Sequence, residues 1–288
     1  MSLVVLTPDP GDASYARQWP GVLERLSDCL TRVGLEVRSS PWTDHVASAD
    51  GLKDAALILP LVAWGYHRDH DRWMQACGTW AAAGLPVANP ASVLAWNSDK
   101  TYLRRLGERG VAIPLTQWTA RATDDQVQAA FDAFGTDQVI VKPTVSGGAW
   151  KTLRLSRGQA MTGAPDGAAM IQPYLAGIER LGETSMLFFG GRFSHAVNKR
   201  PVPGEFRIQV QFGGAYATVV PPDGAMALAQ QVLAAIDEPL LYARIDTAQG
   251  PDGRWLLMEA ELIEPDFYLA HDPNRGALFA EAVRAWLA

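Results

Sequence analysis

The sequence is poor in cysteine and in positive charge, and it has no long apolar run. Cys29 and Cys77 are its only cysteines, and each lies in a helical pattern, which argues against a disulfide framework and a cysteine-bound metal cluster. Aspartate and glutamate total 31 against 25 lysines and arginines, a formal net charge of −6. Without a basic stripe, this charge argues against nucleic acid as the main partner. Since neither a signal peptide nor a membrane span is recognisable, we expect a cytoplasmic globular protein.

A dinucleotide-binding fingerprint is also missing. The turn after the first predicted strand reads Pro-Asp-Pro-Gly-Asp over residues 8–12 instead of G-x-G-x-x-G, which argues against a nicotinamide-dependent dehydrogenase. What is present is an alternation of strand and helix patterns over residues 1–90, which predicts a small, mostly parallel sheet covered by helices. Residues 91–172 predict a compact α+β lobe, and residues 173–288 predict a second lobe with long strands. The expected fold class is therefore α/β and α+β.

Local patterns also predict individual strands and helix ends. Segments 84–88 and 206–211 have strand patterns, and Asp223 is expected to cap a helix that runs to Ile236. The terminal helix is expected to start near Asn274.

The stretch 138–152 combines a strand with a glycine loop. A β-branched run ending at Lys142 predicts a buried strand with a cation at its end, and Pro143 stops the ladder because it has no N–H. Ser146, Gly147 and Gly148 then form a loop free of bulky side chains before a second strand, which is predicted to run from Trp150 to Leu155. Backbone N–H groups of such a loop can approach a polyphosphate, and the lysine supplies charge. On these residues alone, a plain glycine turn explains the pattern equally well.

Three carboxylates mark a candidate metal site near the C-terminus. Glu259 and Glu261 lie two residues apart and so share one face of a strand. If the turn 250–253 is tight, Asp246 lies opposite Leu257 and roughly 7–8 Å diagonally from Glu259. Oxygen-only ligands favour Mg²⁺ or Mn²⁺, bound together with substrate phosphates. The alternative is that these carboxylates point outward into water.

Aromatic and histidine residues follow the third predicted strand. Trp64 and Tyr66 form a candidate substrate loop, and the alternative is simple aromatic packing over the sheet edge. His67 and His70 lie three residues apart without further ligands, which is incomplete for a zinc site. No Ser-His-Asp or Cys-His motif is present, so we expect no nucleophilic side chain.

Other candidate nucleotide ligands are spread along the chain. Lys100 follows a break between two predicted helices, and the apolar segment 170–175 crosses between lobes, where it can wall a flat adenine. Glu183 opens the next strand, where it can accept hydrogen bonds from ribose hydroxyls. Lys199 and Arg207 add cations on the lobe that carries the acidic face. A nucleoside triphosphate with Mg²⁺ would connect all of these residues.

In their order and separation these features resemble the ATP-grasp superfamily, in particular its glutathione-synthetase-like and RimK-like branch. The resemblance covers nearly the whole chain and implies an N-terminal α/β domain (1–90), a central lobe with a glycine-rich lid (91–172) and a C-terminal catalytic lobe (173–288) that clamps ATP against the central one. It implies ATP binding by Lys100, Lys142, Ser146, Gly147, Gly148, Gln172, Tyr174, Leu175 and Glu183, with Glu179 as the second choice for the ribose acid.

The same resemblance implies the metal and catalytic residues. Asp246, Glu259 and Glu261 match the ligands of two Mg²⁺ ions, with Mn²⁺ as the alternative metal, although many relatives have asparagine at the position of Glu261. The implied catalytic cations are Lys142, Lys199 and Arg207, the last reaching the transferred phosphate.

Segments 96–103, 193–201 and 262–265 are similar to the group of ATP-grasp enzymes that contains D-cycloserine synthetase. This implies an antibiotic-biosynthesis ligase that activates a carboxylate as an acylphosphate, with cyclisation of O-ureido-D-serine to D-cycloserine as the first expectation. That group often has arginine near Leu61 and serine near Asp266, so the substrate stays open.

The alternatives are an intermolecular peptide or γ-glutamyl ligase, a phosphotransferase acting on a hydroxyl, and a non-catalytic nucleotide-binding protein. The expected partners are a small amino-acid-like molecule and further copies of the chain in a homo-oligomer, with no nucleic acid and no membrane.

Overall fold

The N-terminal sheet is parallel, as the sequence predicted. In the computed structural model, which describes residues 2–288, its strands are β1 (Ser2–Thr7), β2 (Glu36–Pro41) and β3 (Leu57–Leu59). Their order is β2-β1-β3, and the apolar residues of β1 are fully buried because helices cover both faces. The prediction of a strand at 84–88 is wrong: the segment forms only an isolated bridge from Val87 to Ile58. Pro86 and Pro90, which have no N–H, limit the ladder to that bridge.

The central sheet is antiparallel and contains the predicted strand–loop–strand hairpin. Its strands are β4 (Gln117–Thr119), β5 (Gln138–Pro143), β6 (Leu153–Ser156) and β7 (Ala169–Pro173), in the order β4-β7-β5-β6. The register Val139 to Leu155 confirms that β5 and β6 pair, but β6 begins at Leu153 and not at Trp150 as predicted. Residues 144–152 therefore form a longer connecting loop than expected.

The C-terminal sheet is antiparallel and has five strands within the described residues. They are β8 (Glu183–Phe189), β9 (Arg192–Arg200), β10 (Ala215–Val219), β11 (Tyr242–Gln249) and β12 (Trp255–Glu261), in the order β10-β9-β8-β11-β12. The predicted strand at 206–211 is wrong. The carboxylate of Glu205 accepts hydrogen bonds from the backbone N–H groups of Phe206 and Arg207 at 2.8 and 3.0 Å, so these groups do not join a ladder.

The helices are short and amphipathic. They are α1 (Trp19–Thr31), α2 (His70–Ala82), α3 (Ala91–Asn97), α4 (Tyr102–Glu108), α5 (Asp124–Phe134), α6 (Gly177–Leu181), α7 (Asp223–Ala234) and α8 (Ala277–Leu287). Thr123 and Gln126 form a capping box at the start of α5. Asp223 is the first residue of α7 and Pro222 occupies the N-cap, so the predicted cap is wrong. Helix α6 was not predicted. Across residues 2–288, no helix has the length and apolar character needed to cross a bilayer.

The N-terminal and C-terminal parts of the chain share a hydrophobic core. Leu30 of α1 and Leu59 of β3 pack in one cluster with Phe189 of β8 and Phe279 of α8. The central sheet has a separate core built around Phe131. The central sheet and α5 therefore pack as a distinct layer, whereas α3 and α4 share a core with the C-terminal sheet. The cavity described below lies where this layer meets the rest. The domain boundaries near residues 90 and 172 stay a prediction.

Candidate active site

Residues from all three parts of the chain line a cavity of about 570 Å³, within the size range of small-molecule sites. The N-terminal part reaches it from α1 and the turn after β3, the central lobe from the β5–β6 hairpin, and the C-terminal lobe from β11 and β12. Glu179 does not line this cavity. The predicted site residues that do are Lys100, Lys142, Ser146, Gly147, Gly148, Gln172, Tyr174, Leu175, Glu183, Lys199, Arg207, Asp246, Glu259 and Glu261.

The three predicted metal ligands converge more closely than the sequence indicated. Oxygen atoms of Asp246, Glu259 and Glu261 lie within 4.8 Å of one another. The expected register was wrong, because Asp246 pairs directly with Glu259 while Thr247 pairs with Leu257. A longer turn and a β-bulge at the Asp246–Thr247 step shift β12 by two residues from the expected pairing. Three carboxylate oxygens at this spacing fit a hard cation such as Mg²⁺.

Two buried cations, Arg244 and Lys199, pair with Asp246. Asp246 accepts hydrogen bonds from Arg244 Nη2 at 2.9 Å, Lys199 Nζ at 3.0 Å and Ser185 Oγ at 2.6 Å. Arg244 also pairs with Glu261. Burial raises the pKa of Asp246, but the charges of Arg244 and Lys199 outweigh it and hold the pKa well below its usual range. Sequence reasoning missed Arg244, although a cation two residues before Asp246 in an apolar strand shares its face.

Glu183 and Lys199 lie opposite each other on β8 and β9 and form an ion pair. Lys199 Nζ lies 2.7 Å from Oε1 of Glu183, and both side chains are almost fully buried. Burial is the main cause that raises the pKa of Glu183. The predicted ribose acid and a predicted catalytic lysine are therefore direct neighbours on the cavity wall.

The two lysines of the central part differ in their partners. Lys100 Nζ donates to the carbonyl oxygen of Ser146 at 2.8 Å and pairs with Glu259 at 2.9 Å. Lys142, in contrast to Lys100 and Lys199, has no ion-pair partner among residues 2–288. Burial and the nearby charge of Lys100 lower the pKa of Lys142 to about 8. An unpaired ammonium group that lines a cavity is suited to an anionic ligand.

The predicted adenine hinge lies at the end of β7. Gln172 Nε2 donates to Thr116 Oγ1 at 2.9 Å, which holds its amide in place. The Tyr174 ring lies 3.8 Å under the guanidinium of Arg154, and its hydroxyl donates to Glu179 at 2.6 Å. Glu179 is therefore engaged with Tyr174 and Arg154 outside the cavity, whereas Glu183 lines it.

Arg207 lies on the loop that replaces the predicted strand 206–211. Its Nε and Nη2 donate to the two carboxylate oxygens of Glu205 at 3.0 and 2.6 Å, and its guanidinium stacks 3.6 Å from the Phe212 ring. Hydrogen bonds from Arg207 hold the pKa of Glu205 at about 2. Arg207 borders the cavity, and its predicted contact with the transferred phosphate stays a prediction.

Known proteins resemble this chain over its whole length. The cycloserine biosynthesis protein DcsG of Streptomyces lavendulae is 28% identical over 307 aligned positions, covering 98% of both chains. The crystal structure of D-cycloserine synthetase DcsG superposes with a TM-score of 0.82 at 24% identity, with full coverage of both chains. No protein-family model matches the sequence.

More distant solved structures share the architecture. D-alanine–D-alanine ligase of Bacillus anthracis has a TM-score of 0.73 at 15% identity, covering 100% of this chain and 97% of that one. A RimK domain ATP-grasp protein of Sphaerobacter thermophilus has a TM-score of 0.67 at 14% identity, covering 99% and 100%. The chain has the ATP-grasp fold. The predicted fold and the predicted resemblance to D-cycloserine synthetase are thus confirmed, and the similarities support the predicted class, an ATP-dependent ligase.

One end of the ATP-grasp cavity is built by the N-terminal part and the segment after β12. Trp64 Nε1 donates to the carbonyl oxygen of Glu264 at 3.3 Å, and its ring lies 5.6 Å from that of Tyr15. Sequence reasoning missed Glu264, whose pKa is raised well above its usual value by burial and then by Glu261 and Glu259. Asp266 lines the same end, whereas Leu61 is buried in the hydrophobic core.

Proposed function

We propose that the protein is an ATP-dependent carboxylate–amine ligase that works through an acylphosphate. One observation carries the proposal: a cavity joins the unpaired Lys142 of the central hairpin to the carboxylates Asp246, Glu259 and Glu261 of the C-terminal sheet. A polyphosphate bridged by a metal ion needs cations on one side and carboxylates on the other. The confirmed resemblance to ATP-grasp ligases supports the same reading.

ATP binding is assigned to residues that line the cavity. Lys100, Lys142 and the loop Ser146–Gly147–Gly148 contact the phosphates. Gln172, Tyr174 and Leu175 form the adenine wall. Glu183 accepts hydrogen bonds from the ribose hydroxyls. Glu179, which Arg154 and Tyr174 hold, is the second choice for this ribose-binding acid.

Asp246, Glu259 and Glu261 would hold two Mg²⁺ ions, with Mn²⁺ as the alternative metal, and the ions would offset negative charge between carboxylates and phosphates. Lys142, Lys199 and Arg207 line the same cavity and would neutralise charge on the transferred phosphoryl group, with Arg244 as a fourth cation. The protein needs no nucleophilic side chain, because binding sets the geometry of the reacting groups. The loop over the phosphates keeps water from the acylphosphate.

The first candidate substrate is O-ureido-D-serine, cyclised to D-cycloserine as the oxygen-bound nitrogen forms the ring amide and the carbamoyl group leaves as CO₂ and NH₃. This reaction would place the protein in antibiotic biosynthesis. The similarity to a cycloserine biosynthesis protein and to D-cycloserine synthetase supports this choice. An intermolecular peptide or γ-glutamyl ligase is the second candidate. It is favoured by Asp266, whose carboxylate lines the end of the cavity that Trp64 and Glu264 build. The group of enzymes that contains D-cycloserine synthetase often has serine near this position.

The proposal is tested by mixing purified protein with ATP, Mg²⁺ and O-ureido-D-serine and measuring ADP and product mass. Substrate-dependent ADP with a mass matching D-cycloserine supports cyclisation, and a mass equal to two joined substrates supports the second candidate. No substrate-dependent ADP with O-ureido-D-serine, amino acids or dipeptides would overturn the ligase assignment. Tight ATP binding without turnover would then favour a non-catalytic nucleotide-binding protein.

The proposal also covers the cellular location and the oligomeric state of the protein. We propose a cytoplasmic homo-oligomer, and light scattering after size-exclusion chromatography tests the assembly. A mass of 31.2 kDa in solution would contradict the homo-oligomer.

A further inference from the structure

His67 lies against the glycine loop that covers the cavity. A Cβ atom on Gly147 would lie 3.0 Å from Nδ1 and 3.2 Å from Cε1 of His67, so even alanine at position 147 would require the ring to shift by a few tenths of an ångström. The imidazole also packs against Trp150, with ring centroids 5.6 Å apart. We infer that His67 is a positioning residue that holds the loop closed over the reacting groups. This inference rests on the proposed function.

The loop conformation needs such contacts because its backbone is strained. Ala149 and Lys151 have φ angles of 62° and 52°, in the left-handed region that disfavours residues with a Cβ atom. Lys100 holds one end of the loop by its 2.8 Å hydrogen bond to the carbonyl oxygen of Ser146. His67 contacts the loop at Gly147, directly after Ser146, and at Trp150. Loss of the ring would remove this packing from the loop.

The imidazole is buried in the closed arrangement. Only 6% of His67 is exposed, and its Nε2 has no hydrogen-bond partner in the described part of the chain, so the ring acts on the loop through packing. Phenylalanine at this position would keep that packing and could not take up a proton.

The charges around His67 oppose its protonation. Burial, then Arg68 and Lys100, lower the pKa of His67 to about 4, against a smaller opposing effect of Asp12, which pairs with Arg68 at 2.9 Å. On the loop itself, Lys151 adds a positive charge 4.7 Å from the Trp150 ring. An opened loop would admit water to the ring and return its pKa toward about 6.5. The closed state is therefore fully favoured above that pH and loses its advantage as pH falls from about 6.5 to about 4.

Limited proteolysis measures loop opening at a defined bond. Trypsin cleaves after Lys151 only when the loop leaves its packed position, so the cleavage rate follows the open population. The measurement uses the Mg²⁺ complex of adenylyl imidodiphosphate at pH 7.5, with mass spectrometry to identify the cut. We expect His67→Ala to raise the rate about tenfold and His67→Phe to stay close to wild type. The matched control is His70→Gln on the same segment, whose side chain can keep the 2.8 Å contact with Ser98 Oγ.

Equal rates in wild type and His67→Ala would overturn the inference. An equal increase in all three variants would overturn it too, since that pattern reflects general loosening of the fold. The pH series gives an independent check. The quantity to follow is the cleavage rate of wild type divided by that of His67→Phe at the same pH, because this ratio cancels trypsin's own pH dependence. Between pH 7.5 and pH 5.5 the ratio should rise by up to about tenfold. A constant ratio would count against a role for the imidazole.

A second readout measures what loop closure does for the reaction. His67→Ala should release more ADP per molecule of ligated product than wild type, because water reaches the acylphosphate when the loop is open. An unchanged ratio of ADP to product would contradict this, while a structural defect alone would lower both in parallel. Proteolysis needs bound nucleotide but no turnover. It therefore tests the role of His67 even if the proposed ligase activity fails.

Discussion

The ammonium group of Lys100, in the turn between α3 and α4, lies 2.9 Å from Oε1 of Glu259 on β12, so a predicted phosphate ligand and a predicted metal ligand neutralise each other. Burial lowers the pKa of Lys100, but the attraction of Glu259 outweighs it and the pKa is raised. Burial alone would raise the pKa of Glu259, but the charge of Lys100 outweighs burial, so the pKa is lowered. Both groups are therefore charged at neutral pH. A metal–nucleotide complex can take over both partners, because it offers a cation to Glu259 and an anion to Lys100.

The first prediction concerns Glu259. Glu259→Gln removes one of three carboxylates within 4.8 Å, and turnover should fall at least about 100-fold because metal binding is lost. The measurement is ADP release as a function of Mg²⁺ concentration. Glu108→Gln is the control, since Glu108 pairs with Arg104 on an exposed helix surface. Full activity of Glu259→Gln would contradict the metal assignment.

A second prediction tests whether Arg244 balances the carboxylate cluster. Arg244→Met leaves Asp246 and Glu261 without this buried cation, and the free energy of unfolding in EDTA should fall by about 3–5 kcal/mol. Mg²⁺ with ATP should restore part of the loss. Denaturant unfolding with and without Mg²⁺–ATP measures both effects.

The matched control for Arg244 is Arg254→Met. Arg254 also pairs with an aspartate two residues away, Asp252, but on an exposed turn, so its loss should change stability by less than about 0.5 kcal/mol. Equal effects of the two substitutions would show that Arg244 has no special role in the cluster.

The third prediction is a pH dependence of ATP binding. The pKa of Lys142 is lowered to about 8, so the free protein loses this charge as pH rises above 8, and bound polyphosphate requires it. The association constant for ATP should therefore fall by up to about tenfold per pH unit above pH 8. Calorimetry between pH 7 and 9.5 measures the slope. Lys142→Arg keeps its charge over this range and should remove the dependence, so an identical slope in both proteins would refute the role of Lys142.

The fourth prediction concerns Gly182, just before Glu183. Its φ of 79° lies in the left-handed region, which residues with a Cβ atom rarely adopt. A Cβ atom at this position would also lie 2.5 Å from Asn198 Oδ1 and 2.8 Å from the carbonyl oxygen of Lys199. Gly182→Ala should therefore lower the free energy of unfolding by about 1–3 kcal/mol and weaken ATP binding. Gly167→Ala, where a Cβ atom meets nothing within 4 Å, should leave both unchanged. Equal denaturation midpoints for the two variants would contradict the steric argument.

Local patterns account for the parts of the site that were predicted well. The apolar run before Lys142 and the glycines after it determine a strand and a loop without help from distant residues, and β5 and β6 pair accordingly. Thr123 and Gln126 likewise determine where α5 begins, since both capping contacts lie within four residues. The failures have non-local or side-chain causes. A longer turn and a bulge placed Glu259 opposite Asp246, and the carboxylate of Glu205 accepts hydrogen bonds from the first two N–H groups of the predicted strand at 206–211.

The sequence by itself determined which chemical groups are available: phosphate-binding lysines, a glycine loop, an acidic strand end, and their order along the chain. Only the tertiary structure decided which of them meet. Lys100 reaches Glu259 across 159 positions, and His67 meets Gly147 across 80, because separate parts of the fold pack around one cavity. Such contacts depend on packing between layers, which leaves no periodic signal in the sequence. Lys142 and its loop could therefore be predicted, while the contact of His67 with that loop could be found only in the folded chain.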